Sequence, residues 1–355
     1  MSERLKQTQA YLQAKIAPQA AELDRDPQRL AQAVKDLGNE HLLGLRVAPQ
    51  WGGQGLAHLA FLQFQELVSR YSGALAFLQT QHQSAAAMLA ASQNELLKQQ
   101  YLTEMVSGKL LMGVGFSQLR RRGEPVLKAV PCETGYQLYG EVPWITGFGC
   151  FQQFVVGATL PNGDSLFGLM PFNAQTQPQG GSLCLSEPLR LAVMESTQTV
   201  EAVVRDWYLP QTHVLAIKPA EWIHEKDRRN VLQHSFFALG CAQAGLDIVA
   251  AAQESLPDFV GEALRLQSQT LETCRSVIYQ AQENSESSFE ERLLLRADAI
   301  ALAVCCAQMA VTVSRGAANY SDHPAQRVYR EALAFTVFGQ TTAVMEATLK
   351  RLVCL

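Results

Sequence analysis

The apolar residues of this chain change their spacing twice, near Lys109 and near residue 218, and this limits the folds open to it. Before Lys109 the spacing is helical. Leu5, Leu12 and Ile16 keep one face, and Leu59, Leu62, Leu67 and Val68 keep another. Between them, Ala48-Pro49-Gln50-Trp51-Gly52-Gly53-Gln54-Gly55-Leu56 is too rich in Pro and Gly for a helix and reads as a tight loop. A second helix pair is predicted over about 80–107, ending at Gly108. From 109 to 218 short β-type runs take over, such as Gln153-Phe154-Val155-Val156 and Thr199-Val200-Glu201-Ala202-Val203-Val204. Turns such as Pro161-Asn162-Gly163-Asp164 separate them, which predicts a small barrel or sandwich.

After 218 the helical spacing returns, with Ile300, Val304, Ala307 and Val311 on one stripe and Phe236, Gly240, Ala244 and Val249 on an earlier one. Ser288 with Glu291 reads as a helix start behind a solvated stretch, 283–291, and the last helix is predicted from about Ala325 past Leu349. Small residues on these faces predict a close-packed four-helix bundle. The expected order is an N-terminal all-α domain (1–108), a central β domain (109–218) and a C-terminal bundle (219–355).

Composition removes several function classes. The net charge is −4 with no long basic run, so there is no electrostatic footprint for nucleic acid. The opening Met-Ser-Glu-Arg-Leu-Lys lacks an apolar signal core, and no apolar stretch reads as long enough for a bilayer, so a cytoplasmic protein is expected. The eight cysteines form no CxxC pair and the seven histidines no HxxxH or HxxE spacing, so no metal is expected. Cys241, Cys305 and Cys306 lie in apolar runs and read as buried thiols. No GxSxG or GxGxxG occurs in a strand–helix context, which disfavours a serine hydrolase or a Rossmann enzyme.

Four segments then carry a resemblance. They are Pro49-Gln50-Trp51-Gly52-Gly53-Gln54-Gly55, Gly135-Tyr136-x-Leu138-x-Gly140-x-x-x-Trp144-Ile145-Thr146-Gly147, Leu209-Pro210, and Ala318-Asn319-Tyr320-x-x-x-Pro324-x-x-Arg327-x-Tyr329-Arg330-Glu331-Ala332. In this order the chain resembles the acyl-CoA dehydrogenase family over nearly its whole length. The resemblance implies FAD between the β domain and the bundle, an acyl thioester or related small substrate, and a homodimer or homotetramer. It places Phe116, Ser117, Trp144, Ile145, Thr146, Gly316, Gln340 and Thr342 on the cofactor, with Trp144 flanking the flavin and the Thr146 hydroxyl bonding it. It places His82 near the substrate cavity. Arg120, Arg121 and Arg122 stand where the family has a Gly-Ser-Asp turn, and they are candidates for a flavin or CoA phosphate.

The departures bear on the chemistry. Dehydrogenation across Cα–Cβ needs a carboxylate to take the α proton. Phe338 stands at the usual Glu position, and Gln233 at the alternative position on an early bundle helix. His234 is adjacent, but on a helix it would point about 100° away. The expected function is an acyl-CoA dehydrogenase-like, FAD-dependent oxidoreductase. Two alternatives stay open: a monooxygenase of the same fold that takes reduced flavin as co-substrate, and a non-catalytic member that has lost the flavin.

Overall fold

The computed structural model describes residues 3–284 and 286–353. It begins with six helices: α1 (Glu3–Tyr11), α2 (Ala20–Leu23), α3 (Pro27–Asn39), α4 (His58–Tyr71), α5 (Gly73–Ala90) and α6 (Glu95–Ser107). Local chemistry sets their ends. The Asp26 carboxylate accepts from the amides of Gln28 and Arg29 at 2.8 and 3.2 Å, and Pro27 opens α3. The helix that was expected from about 80 begins at Gly73, because the Ser72 hydroxyl accepts from the Leu75 amide and starts it early. Gly108, at φ +75°, ends α6. In the 48–56 loop a single 3₁₀ turn, Pro49–Trp51, is stopped by Gly52.

Nine strands follow: β1 (Met112–Gly115), β2 (Leu127–Cys132), β3 (Gly135–Ile145), β4 (Gln153–Thr159), β5 (Ser165–Pro171), β6 (Gln175–Thr176), β7 (Ser182–Leu185), β8 (Val200–Pro210) and β9 (Val214–Lys218). They form one sheet in the order β6-β7-β8-β3-β2-β4-β5-β9, with β1 parallel to β4. The expected barrel or sandwich is replaced by an open sheet: β6 and β9 end the order without pairing to each other. The sheet bends instead through register shifts between β3 and β8, where Gly140 takes φ +127° and Asp206 φ +47°.

The remaining helices are α7 (Trp222–Arg229), α8 (Ser235–Ala252), α9 (Asp258–Glu283), α10 (Phe289–Ser314), α11 (Pro324–Val337) and α12 (Thr342–Leu352). Ser288 and Glu291 form the expected reciprocal cap of α10. The single last helix predicted past Leu349 is two, because Gly339 adopts φ +57° and the Thr341 hydroxyl caps a new start at Thr342. Two stretches, Ser235–Ser255 and Phe289–Asn319, are long and apolar enough to cross a bilayer, contrary to the sequence expectation. Both are central to the bundle. A Cβ on Gly245 of α8 would stand 2.6 Å from the Cys306 carbonyl oxygen of α10, so the backbones touch, and the apolar composition serves that contact. Cys306 is buried there, whereas Cys305, one position round the helix, is exposed rather than in the core.

The N-terminal helices join the bundle through α4. A Cβ on Gly240 of α8 would collide with the Glu66 carbonyl oxygen. The Ser69 hydroxyl donates to the Phe237 carbonyl at 2.7 Å, and Arg70 pairs with Asp247 through bonds of 2.7 and 2.9 Å. Glu66 accepts from Arg275 at 2.7 Å and from the Tyr279 hydroxyl at 2.5 Å, both on α9.

Candidate functional site

β3 ends at Ile145, where alternation turns Trp144 out and Ile145 in, and Thr146 follows just beyond the strand. Trp144 is 41% exposed, while Ile145 and Thr146 are buried. The Thr146 hydroxyl bonds the Thr199 hydroxyl at 3.0 Å, and the next two amides donate to Thr197 and Gln198. Trp144 therefore presents an open indole. Thr146, expected on the flavin, is held inside the protein by a neighbour on β8's approach. Gly147 must be glycine: it takes φ +101°, and a Cβ there would strike the Phe151 ring.

β1 lies beside this segment, since a Cβ on Gly115 would meet Val142 at 3.1 Å. The Phe116 ring is buried edge-on against Phe167, at 5.5 Å. Ser117 is exposed. The Gln118 amide is spanned between the carbonyls of Gly115 and Gly157, at 3.2 and 2.7 Å, and its own oxygen is buried without a partner. The three arginines separate. Arg120 is locked to Asp227 of α7 by a two-pronged bridge of 2.6 and 2.9 Å, so its guanidinium is not free for phosphate in the way the sequence suggested. Arg121 and Arg122 point to solvent.

His82 sits elsewhere. It is fully buried on α5, with Nε2 at 3.0 Å from the Met105 carbonyl and Nδ1 accepting from the Met112 amide at 3.1 Å. Burial pushes its pKa down to about 4, so the ring is neutral. Both nitrogens tie α5 to the end of α6 and the start of β1, which leaves none for a substrate.

The break between α11 and α12 builds the other half of the site. The Phe338 ring packs 4.5 Å from Phe77, 5.3 Å from Phe335 and 6.3 Å from Phe237. Its carbonyl accepts from Arg296, a guanidinium only 1% exposed that also donates to the Val231 carbonyl at 3.2 Å. Arg296 Nε is buried without a partner, and burial lowers the Arg296 pKa to about 10. Gln340 likewise buries an unpartnered oxygen, and Thr342 is exposed in the first turn of α12. Gly316 lies in a 3₁₀ stretch, Arg315–Asn319, with open space where a Cβ would be.

His234 is the residue that helical reasoning set aside. α8 starts at Ser235, so His234 is its N-cap and Gln233 lies in the turn before it, outside the helix. The imidazole faces Gly339: a Cβ there would stand 2.5 Å from the ring. Its centroid is 6.1 Å from Phe237. Burial, then Arg296, Arg120 and Lys226, hold its pKa well below the usual histidine range. Gln233 is half-buried beside it and, like Phe338, cannot take up a proton at neutral pH. Lys226, Arg296 and Phe77 escaped the sequence reading. Arg296 carried a signal, being a cation directly behind Leu293-Leu294-Leu295 near the start of α10's apolar run.

These groups fit a flavin in part. Trp144 offers an exposed aromatic face, Ser117 an exposed hydroxyl and Gln340 an unpartnered buried acceptor, all of which suit a planar polar heterocycle. Thr146 does not contribute, because Thr199 already engages its hydroxyl.

Residues 3–109 match the model of the acyl-CoA dehydrogenase N-terminal domain. Isovaleryl-CoA dehydrogenase of Pongo abelii is 30% identical over 221 residues, which is 60% of this chain and 52% of that protein. The aligned part thus spans about half of that relative. Isovaleryl-CoA dehydrogenase of Solanum tuberosum is 24% identical over 363 residues, covering 96% of this chain and 87% of that one. The solved butyryl-CoA dehydrogenase of Megasphaera elsdenii superposes with a TM-score of 0.80 at 17% identity, covering 99% of both chains. The order of helices, sheet and bundle is therefore that of the acyl-CoA dehydrogenase fold from end to end, and the N-terminal helical part matches that family's own domain model.

Proposed function

We propose that this chain is an acyl-CoA dehydrogenase-like, flavin-dependent oxidoreductase acting on an acyl thioester or a related small organic molecule. The observation that carries the reading is the exposed indole of Trp144 at the end of β3, in a chain whose fold follows the family throughout. A bound flavin would supply a hydride acceptor. The protein's own contribution is orientation and exclusion of water. Trp144, the Ser117 hydroxyl and the Gln340 oxygen are the groups that would hold the flavin, and the Phe77–Phe335–Phe338 cluster would keep the neighbourhood apolar.

Residue 338 takes no part in proton transfer, because a phenyl ring accepts no proton. A titratable group beside that position is the neutral His234 imidazole, pressed against Gly339. The same aromatic substitution favours a second reading, a monooxygenase that takes up reduced flavin and oxygen and abstracts no α proton. The exposed apolar face of Leu333, Val337, Met345 and Leu349 supports a homo-oligomer.

Absorbance separates the readings. Flavin bands on the purified protein that bleach on anaerobic addition of an acyl-CoA support the first. Uptake of reduced flavin with oxygen consumption and no such bleaching supports the second. A colourless protein that takes up neither oxidised nor reduced flavin refutes both.

A further inference from the structure

The short segment from Lys226 to His234 gathers more positive charge than the protein neutralises. Arg120 reaches it from the turn after β1, and Asp227 answers that one cation. The Lys226 ammonium forms no hydrogen bond or ion pair among the described residues. It lies 5.8 Å over Phe116 and 4.9 Å over Trp222, half-buried between two aromatic faces. Arg296 arrives from α10 at the Val231 carbonyl, buried, with its Nε unused. His234, against Gly339, feels Arg296, Arg120 and Lys226 together, and Asp227 is the carboxylate felt by both Lys226 and Arg296.

Enclosed cations without counter-ions cost free energy, and they persist where a ligand completes them. We propose that the junction of α7, α8 and α10 binds an oxyanion, a carboxylate or phosphate group carried by a small organic ligand, with Lys226 as its principal counter-ion and the unused Arg296 Nε–H as a donor. The proposal names the charge of the ligand for the site described above. It rests on that site being a binding site, but not on flavin being bound there. It also moves the anion contact expected at Arg120–Arg122 to groups that the sequence did not single out.

The test uses the full chain and two probes, inorganic phosphate and succinate, each titrated by calorimetry and thermal shift against sodium chloride at matched ionic strength. Saturable binding of at least one probe, beyond chloride, is expected. Lys226→Met is expected to weaken it roughly tenfold, and Lys226→Arg to restore most of the loss. Preference for phosphate or for succinate identifies the anionic group. Binding of neither probe overturns the proposal, and so does equal affinity in Lys226→Met, which places the anion elsewhere. Lys226 is half-buried and unpaired, so its removal leaves no stranded partner; circular dichroism checks that the variant is folded. Flavin uptake is read separately by absorbance. Flavin binding without anion binding defeats this inference alone, and anion binding without flavin defeats the redox reading alone.

Discussion

The buried His82 makes stability depend on acidity in a way that can be isolated. Its folded-state pKa is about 4, against 6.5 for the ordinary side chain, because burial opposes the charged ring. The unfolded chain therefore binds a proton at this position more readily than the native protein does. Its contribution is complete above pH 6.5 and is lost as the pH falls toward 4. A shift of that size corresponds to about 3 kcal/mol by linkage. His82→Asn removes the titration and keeps a short polar group near the Met112 amide. At pH 7 this variant should be less stable by about 1–3 kcal/mol, because the Met105 carbonyl loses its donor. Urea unfolding at several pH values between 4 and 7 gives both curves. His58, His213 and His234 are also lowered and steepen both in common, so the difference between them belongs to His82. The two curves should converge by about 3 kcal/mol on going to pH 4. Parallel curves would refute a neutral, doubly bonded imidazole in the native state.

Other perturbations probe the rest of the site and its supports. Gly339→Ala places a methyl group against the His234 ring at φ +57° and should cost about 1–3 kcal/mol, read from the shift in urea midpoint. An unchanged midpoint would show that the break between α11 and α12 is not held by that residue. Phe338→Ala removes a half-buried ring from the Phe77–Phe335 cluster and should cost about 2 kcal/mol, below the 3–5 kcal/mol typical of a fully buried phenylalanine. Arg275→Met leaves the buried Glu66 facing Tyr279 without its cation and should cost about 3–5 kcal/mol, whereas Arg351→Met, at an exposed pair with Asp298, should change unfolding by less than about 1 kcal/mol.

The order of elements was legible because periodicity is local. A helix or strand reveals its apolar face within a dozen residues, and the changes near 109 and 218 fall close to the end of α6 and the end of β9. Closure of the sheet was not legible. It depends on whether β6 and β9 pair, and no local pattern encodes a pairing between strands so far apart in the chain. The break at Gly339 does carry a local signal: a glycine followed two residues later by a threonine is the stop-and-start pattern of two helices. The locked Arg120 could not have been read, since Asp227 lies 107 residues away. The place of His234 is not legible either, since its contact with Gly339 joins residues more than a hundred apart in the chain.

The close seating of α4 on α8 makes that seam the rigid part of the molecule. Where glycine lets two backbones touch, and Ser69, Arg70 and Glu66 rivet the seam, the helices cannot slide or tilt apart without tearing buried polar bonds. That side of the molecule acts as an anvil. The parts around His234 are lighter: α7 has eight residues, and an ion pair between Arg120 and Asp227 ties it to the turn after β1.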